Sequence, residues 1–307
     1  MRIAVMAAGA VGGYFGARLA HAGHDVFFLA RGAHLEAIRR DGLKIESTLG
    51  DLHLPKPNVT DDPKEVGPVD IVLFAVKLWD TEKAGEQARP LIGPDTRLIT
   101  VQNGVDSVER LAPILGAERV VGGIAFIATV IDQPGVIKHT SRFATVRYGR
   151  ADRKPDAPLT AFADACKAAG LDVGLSDDIE LDLWRKFAFL VTMSAATAST
   201  RRPIGEVVGD PETRDFFLRV MQEVIAVGKA RGVAFPDNLF EQGMAFVQNA
   251  PKEMKASMAH DLERGNRLEL DWLSGKVVSL GRELGVPTPA NDAVYAILKL
   301  HRMGSAA

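Results

Sequence analysis

The first sixteen residues constrain this chain more than any other stretch. Met1-Arg2-Ile3-Ala4-Val5-Met6 reads as a short buried strand, and Ala7-Ala8-Gly9-Ala10-Val11-Gly12-Gly13-Tyr14-Phe15-Gly16 follows at once, running into a helical pattern through Leu19 and Ala20. A β-branched run, a glycine turn and an amphipathic helix, in that order, open a dinucleotide-binding βαβ unit. The turn Ala8, Gly9, Ala10, Val11 and Gly12 is the expected pyrophosphate cradle, with Gly9 allowing close approach and Gly12 a tight helix–strand contact. Ala7 stands where the first glycine of this fingerprint is usual, and its methyl is tolerable only if the backbone there keeps a negative φ.

The next segments extend this reading. Gly23-His24 stops the first helix, and Asp25 to Ala30 forms a second parallel strand. An NAD site places Asp or Glu after that strand to accept from the ribose 2′-hydroxyl, but Arg31 is found here. A guanidinium cannot accept a hydrogen bond, whereas it pairs bidentately with a phosphate, so NADP(H) is expected as cofactor. The alternative is a solvated arginine at a helix start. Leu35 to Arg40 is a short helix, Leu43 to Ser47 and Asp51 to Leu54 are short exposed strands, and Pro55 to Pro63 is a polar loop. Pro68 to Lys77 is a central strand with Lys77 at its carboxyl end, the edge where open α/β sheets bind ligands. Lys77 is therefore placed for chemistry or binding, or else is a surface lysine opening a helix. Asn103-Gly104 ends the strand Arg97 to Val101 at the same edge, either as a turn or as an amide meeting nicotinamide or substrate. Val120 to Val130, Gly135 to His139 and Phe143 to Tyr148 are expected to be antiparallel strands ending the sheet.

A helix over Leu159 to Ala169 and a strand over Leu171 to Val173 precede a region of almost continuous helical periodicity, which sets a domain boundary near Leu175. The expected organisation is α/β: a Rossmann-type dinucleotide-binding domain over 1–175 and an all-helical substrate-binding domain over 176–307. A chain of 307 residues is long enough to give each domain its own core. With 37 basic and 39 acidic side chains there is no overall field to attract nucleic acid or an anionic membrane. Cys166 is the only cysteine, which excludes an intrachain disulfide and a cysteine-built metal site; it reads as a small buried hydrophobe. His260 and His301 lack partners at zinc-site spacing, so no metal is expected. No signal peptide precedes the first strand and no apolar run spans a membrane, so a cytoplasmic protein is expected. Apolar helices in the second half leave room for a homodimer.

Lys186, Leu190 and Ser194 recur at i+4 on one face of the helix expected over Asp178 to Thr200. A lysine among Phe187, Phe189, Leu190 and Val191 is costly unless its ammonium reaches a partner, a ligand or water. Reduction of a 2-keto acid by a nicotinamide requires a proton donor to the developing alkoxide, hydrogen bonds to the substrate and exclusion of water. Lys186 is the candidate acid, with Lys77, Asn103, Ser257 and Glu269 as its companions; no histidine or tyrosine competes at these positions.

Ala10 to Gly16, Ala30-Arg31-Gly32, Ala75-Val76-Lys77, Gln102-Asn103-Gly104, Trp184-Arg185-Lys186, Ser257-Met258 and Glu269-Leu270-Asp271 together resemble the ketopantoate reductase (2-dehydropantoate 2-reductase) family, over essentially the whole chain. The resemblance implies that Arg31 contacts the 2′-phosphate of NADPH and that Lys186 is the general acid. It also implies that Lys77 and Asn103 border the nicotinamide and the reacting centre, and that Ser257 and Glu269 bind substrate. The product in that family is pantoate, made on the route to pantothenate and coenzyme A. The family usually carries asparagines one and two turns after the lysine, where Leu190 and Ser194 stand, and another three residues before the serine, where Met254 stands. Ser194 can still serve as a substrate contact, but Leu190 offers no hydrogen bond. Two alternatives therefore stay open: a paralogous reductase of a more apolar 2-keto acid, and a non-catalytic NADP-binding protein.

Overall fold

The opening residues fold into a strand, β1 (Arg2–Met6), and a helix, α1 (Ala10–His21), separated by the glycine turn. The computed structural model describes residues 1–305. The remaining strands are β2 (Asp25–Leu29), β3 (Leu43–Ser47), β4 (Leu52–Leu54), β5 (Asn58–Thr60), β6 (Ile71–Phe74), β7 (Arg97–Thr100), β8 (Val120–Gln133), β9 (Val136–Gly149) and β10 (Asp172–Leu175). Between them lie α2 (Gly32–Asp41), α3 (Thr81–Ala88), α4 (Ser107–Leu115) and α5 (Ala157–Ala168). Contacts divide the chain into two compact units, Met1–Ile179 and Glu180–Ala307.

In the first unit β5, β2, β1, β6, β7 and β8 lie side by side, all parallel. The chain runs outward from β1 to β2 and β5, then returns to the other side of β1 for β6, so the strand order reverses between β1 and β6. That reversal opens the crevice in which doubly wound sheets bind dinucleotides. Alternation along the strands builds two cores. Ile3, Val5, Ile71, Leu73 and Ile99 face one layer with Phe15 and Leu19 of α1, while Ala4, Met6, Val72, Phe74 and Leu98 face the other with Ala84 and Leu111 of α3 and α4. Cys166 is fully buried in the first of these.

The sequence misplaces three features of this unit. The stretch expected to be a polar loop contains β5, which pairs with β2 from Phe27↔Asn58 to Leu29↔Thr60. A three-residue edge strand needs no apolar alternation, so only its pairing reveals it. β9 is continuous where two strands are expected, because the outward residues of a long ribbon can be polar without breaking it. Finally, β3 is not exposed: Leu43 and Ile45 are buried and β3 pairs with β9 from Lys44↔Val136 to Ser47↔His139. Bulges in the β8–β9 ladder, between Ile127 and Thr129 and between Ile131 and Gln133, allow this. Such insertions bend and twist a ribbon, and its distal half packs on α1, where a Cβ built on Gly13 would lie 2.3 Å from Ile137 Cδ1.

The second unit contains α6 (Ile179–Thr200, beginning at the boundary), α7 (Ile204–Gly209), α8 (Pro211–Ala230), α9 (Leu239–Asn249), α10 (Ser257–Glu263), α11 (Ser274–Leu284) and α12 (Pro289–Leu298). Asp210 caps α8 by accepting from the amides of Glu212 and Thr213 at 3.1 and 2.9 Å, with Pro211 at the first helical position. Glu223 of α8 accepts from the amides of Ala290 and Asn291 at 2.7 and 2.9 Å, tying α8 to the start of α12. Arg201 and Arg202 precede α7, and Glu269 lies just before a short 3-10 turn over Leu270–Trp272, ahead of α11. No helix among the described residues is long and apolar enough to cross a membrane.

Candidate active site

Because β1, β2, β6 and β7 are parallel, the segments that follow them emerge at one edge: Ala7–Gly9, Arg31, Ala75–Lys77 and Gln102–Gly104. Gly9 is the N-cap of α1 with φ −74° and ψ −168°, no side chain caps the helix, and its first turn holds no acidic residue. The amides at this end point away from the helix with the positive end of its dipole behind them, which suits an anion. A Cβ on Gly9 would meet nothing within 4 Å, whereas one on Gly12 would lie 2.5 Å from the Ala7 carbonyl oxygen and 2.8 Å from Val5 Cγ1. The turn therefore keeps open space over Gly9 and none beneath Gly12, a cradle that fits a pyrophosphate. Ala7 is accommodated because the only non-glycine residues with positive φ among those described are Arg153 and Arg201.

Arg31, exposed at the N-terminus of α2, donates to the Gln87 side chain of α3. Lys77 follows β6 by three residues, exposed, with its ammonium 5.5 Å from the centre of the Trp79 ring. Asn103 is half-buried in the turn after β7, where Gly104 takes φ +85°. Gln102, beside it, is buried and joins the two loops. Its amide donates to Val76 O at 3.0 Å and to Thr81 Oγ1 at 2.9 Å, and its oxygen accepts from Thr100 Oγ1 at 3.0 Å. Gln102 lies in a motif legible in the sequence, but this joining role is not; its one sequence signal is a glutamine directly after a buried strand. His34 was missed entirely. In the first turn of α2, its Nε2 lies 3.0 Å from the Ala8 carbonyl and its Nδ1 accepts from Gly135 N–H at 3.0 Å.

The helical unit places the remaining candidates. Lys186 sits on α6 beside Trp184 and Phe187, buried rings that meet edge to face at 5.6 Å. Desolvation lowers the Lys186 pKa from 10.5 to about 8, opposed by the negative charge of Glu269, itself a buried carboxylate. Structure thus brings Lys186 and Glu269 into one electrostatic environment across more than eighty residues of sequence. Two turns beyond Lys186, Ser194 is completely buried and its Oγ has no hydrogen-bond partner. Leu190, between them, is half-buried. Ser257 is exposed as the first residue of α10, whose start is tied to α6 by Ala256 N–H donating to Thr197 Oγ1 at 3.2 Å. Met254 packs against the apolar cluster of Met193, Ile204 and Phe217.

Comparison with known proteins agrees with this division of parts. The ketopantoate reductase PanE/ApbA family model matches residues 3–153, and the model of that family's C-terminal domain matches residues 178–302. The chain is 33% identical to a 2-dehydropantoate 2-reductase of Mesorhizobium japonicum, covering 97% of each protein. Among solved structures it is similar to a PanE/ApbA family ketopantoate reductase from Ralstonia eutropha, with TM-score 0.90, 33% identity and 98% of each chain covered. It is likewise similar to a 2-dehydropantoate 2-reductase from Geobacter metallireducens, with TM-score 0.91 and 31% identity over 98% of this chain and 99% of that one. With a dinucleotide-type sheet edge in one unit, a desolvated lysine and a buried carboxylate in the other, and both units matched, the chain belongs to the ketopantoate reductase family of oxidoreductases.

Proposed function

We propose that this chain catalyses the NADPH-dependent reduction of 2-dehydropantoate to pantoate. The observation that carries the reading is Lys186, a lysine whose pKa desolvation brings down to about 8 while Glu269 helps it keep its proton. Bound at the glycine edge, the reduced nicotinamide supplies the hydride that adds to the keto carbon. Lys186 Nζ gives its proton to the oxygen on which charge develops, so one hydride and one proton enter per turnover. A pKa close to the working pH lets the lysine be both protonated beforehand and willing to release the proton. Gly9 to Gly12 bind the pyrophosphate with backbone amides, and Arg31 pairs with the 2′-phosphate that distinguishes NADPH from NADH. Lys77 and Asn103 border the reacting centre on the sheet edge, and Ser194, Ser257 and Glu269 hold the substrate. The relatives named 2-dehydropantoate 2-reductase support this substrate.

Purified protein should oxidise NADPH when 2-dehydropantoate is added; absence of that turnover sinks the reading. Leu190 and Met254 favour a second one, a paralogous reductase of a more apolar 2-keto acid, because Leu190 offers a substrate hydroxyl no hydrogen bond and Met254 only a weak acceptor. A missing buried partner costs about 1–3 kcal/mol. A panel of branched 2-keto acids separates the two, and the second reading fails if 2-dehydropantoate has the highest kcat/KM by a wide margin.

A further inference from the structure

His34 joins three segments distant in sequence. Its Nε2 lies 3.0 Å from the carbonyl oxygen of Ala8 in the glycine turn, and its Nδ1 accepts from the N–H of Gly135, in the turn between β8 and β9, at 3.0 Å. The Gly135 turn is itself fixed. Its φ is +81°, its carbonyl accepts from Lys44 N–H at 2.9 Å, and a Cβ on it would lie 3.2 Å from Ala37 Cβ of α2. An amide N–H can only donate and a carbonyl can only accept, so Nδ1 carries the lone pair and Nε2 the proton. The neutral Nε2–H tautomer alone satisfies both neighbours. Burial pulls the His34 pKa below the ordinary histidine value, in keeping with that state.

The peptide that His34 grips has a second handhold, since Ala8 N–H donates to Leu29 O at the end of β2 at 2.8 Å. The Ala8–Gly9 peptide is trans, so its carbonyl and N–H point in opposite directions. Holding the Ala8 carbonyl toward α2 therefore aims the Gly9 N–H away from it, as a fixed donor in the turn. The same imidazole belongs to the first turn of the helix that begins directly after Arg31.

We propose that His34 is a positioning residue for the dinucleotide: its neutral imidazole fastens the glycine turn to the first turn of α2, holding the pyrophosphate-binding amides in one arrangement. The inference rests on the reading that Gly9 to Gly12 receive a pyrophosphate. It implies a signature unlike that of Arg31. A group shared by NADPH and NADH is affected, so both should lose affinity by the same factor.

The test is a calorimetric titration of NADPH and of NADH into full-length wild type and the variants His34→Ala, His34→Asn and His34→Gln. A glutamine amide can reach the position of Nε2 and donate to Ala8, whereas asparagine reaches only the position of Nδ1. We expect His34→Ala and His34→Asn to weaken both dinucleotides by about tenfold, and His34→Gln to stay within about threefold of wild type. In turnover the defect should appear in the KM for NADPH, with kcat at saturation retained. Wild-type affinity in His34→Asn, or a loss in His34→Gln as large as in His34→Ala, overturns the proposal. Should His34→Ala fail to fold, the Asn and Gln variants, compared at equal melting temperature, decide it alone. A wild type that binds neither dinucleotide overturns the cofactor reading and this inference with it, whereas tight wild-type binding with unaffected variants overturns only the role of His34.

Discussion

The two units present their candidate residues by opposite physical means. The sheet unit uses backbone: a glycine turn with open space over Gly9, an uncapped helix end, and loops leaving one edge because four strands are parallel. The helical unit uses burial: a lysine and a carboxylate in apolar surroundings, where each is costly alone and the environment changes the lysine's proton affinity. A site of the first kind rests chiefly on the space its backbone leaves open, which an added methyl would occupy. A site of the second kind depends on a single functional group. On the proposed function, cofactor binding belongs to the first unit and proton transfer to the second, and substitutions that separate the two test it.

The largest effect should come from Lys186→Ala. Loss of a general acid lowers kcat by about 10²- to 10⁴-fold, while the Kd for NADPH, a property of the sheet edge, should be unchanged. Comparable losses in both would break the division between the units. Next is Arg31→Ala. Hydrogen bonds to a charged group contribute about 1.5–3 kcal/mol, so NADPH should bind about ten- to 150-fold more weakly and NADH as before. Equal weakening of the two would remove Arg31 from the 2′-phosphate.

Gly9 and Gly12 sharpen the comparison within the turn itself. Gly9→Ala adds a methyl to open space at φ −74°, so the melting temperature of the free protein should hold while NADPH affinity falls by about tenfold. Gly12→Ala places its methyl 2.5 Å from the Ala7 carbonyl, and overpacking of this kind costs about 1–3 kcal/mol. That variant should lose thermal stability before any ligand is added. Thermal melts with and without NADPH distinguish the two, and a destabilised Gly9→Ala would show that the space over Gly9 is structural.

The same contrast explains what was legible in the sequence. The Rossmann-type sheet followed by helices could be read because strand, turn and helix each leave a local pattern, and Ala8 to Gly12 sit at a fixed offset from β1. The placement of Arg31, Lys77 and Asn103 after the ends of parallel strands could be read from the strand pattern. β5 and the path of β3 to β9 could not, since Asn58-Val59-Thr60 has no apolar alternation and the pairing of Ser47 with His139 depends on two distant bulges. His34 and Gln102 were missed for a related reason. Each acts through partners far along the chain, Gly135 for one and Val76 and Thr81 for the other, and a polar residue leaves no sign of which backbone group it will find. In the helical unit, the anomaly of Lys186 in an apolar run was visible and Glu269 could be named as a companion, but that its charge acts on Lys186 was not legible across more than eighty residues of sequence.

The smallest expected effect is a displacement in pH, and it probes the electrostatic environment alone. With Lys186 near 8, reduction requires the protonated form, so kcat/KM for the keto acid should fall as pH rises through about 8, while the reverse oxidation should rise over the same interval. Stability carries the complementary sign. Between about 8 and 10.5 the unfolded chain binds the lysine proton more fully than the folded one, so this group's unfavourable contribution fades as pH rises through that window. Glu269 holds the Lys186 pKa up, and Glu269→Gln removes that charge without removing the side chain. The falling limb of the reduction profile should then move to lower pH. A limb that stays in place would mean that the titrating group is not Lys186, and a limb that moves up would reverse the sign of the interaction on which the assignment of the acid depends.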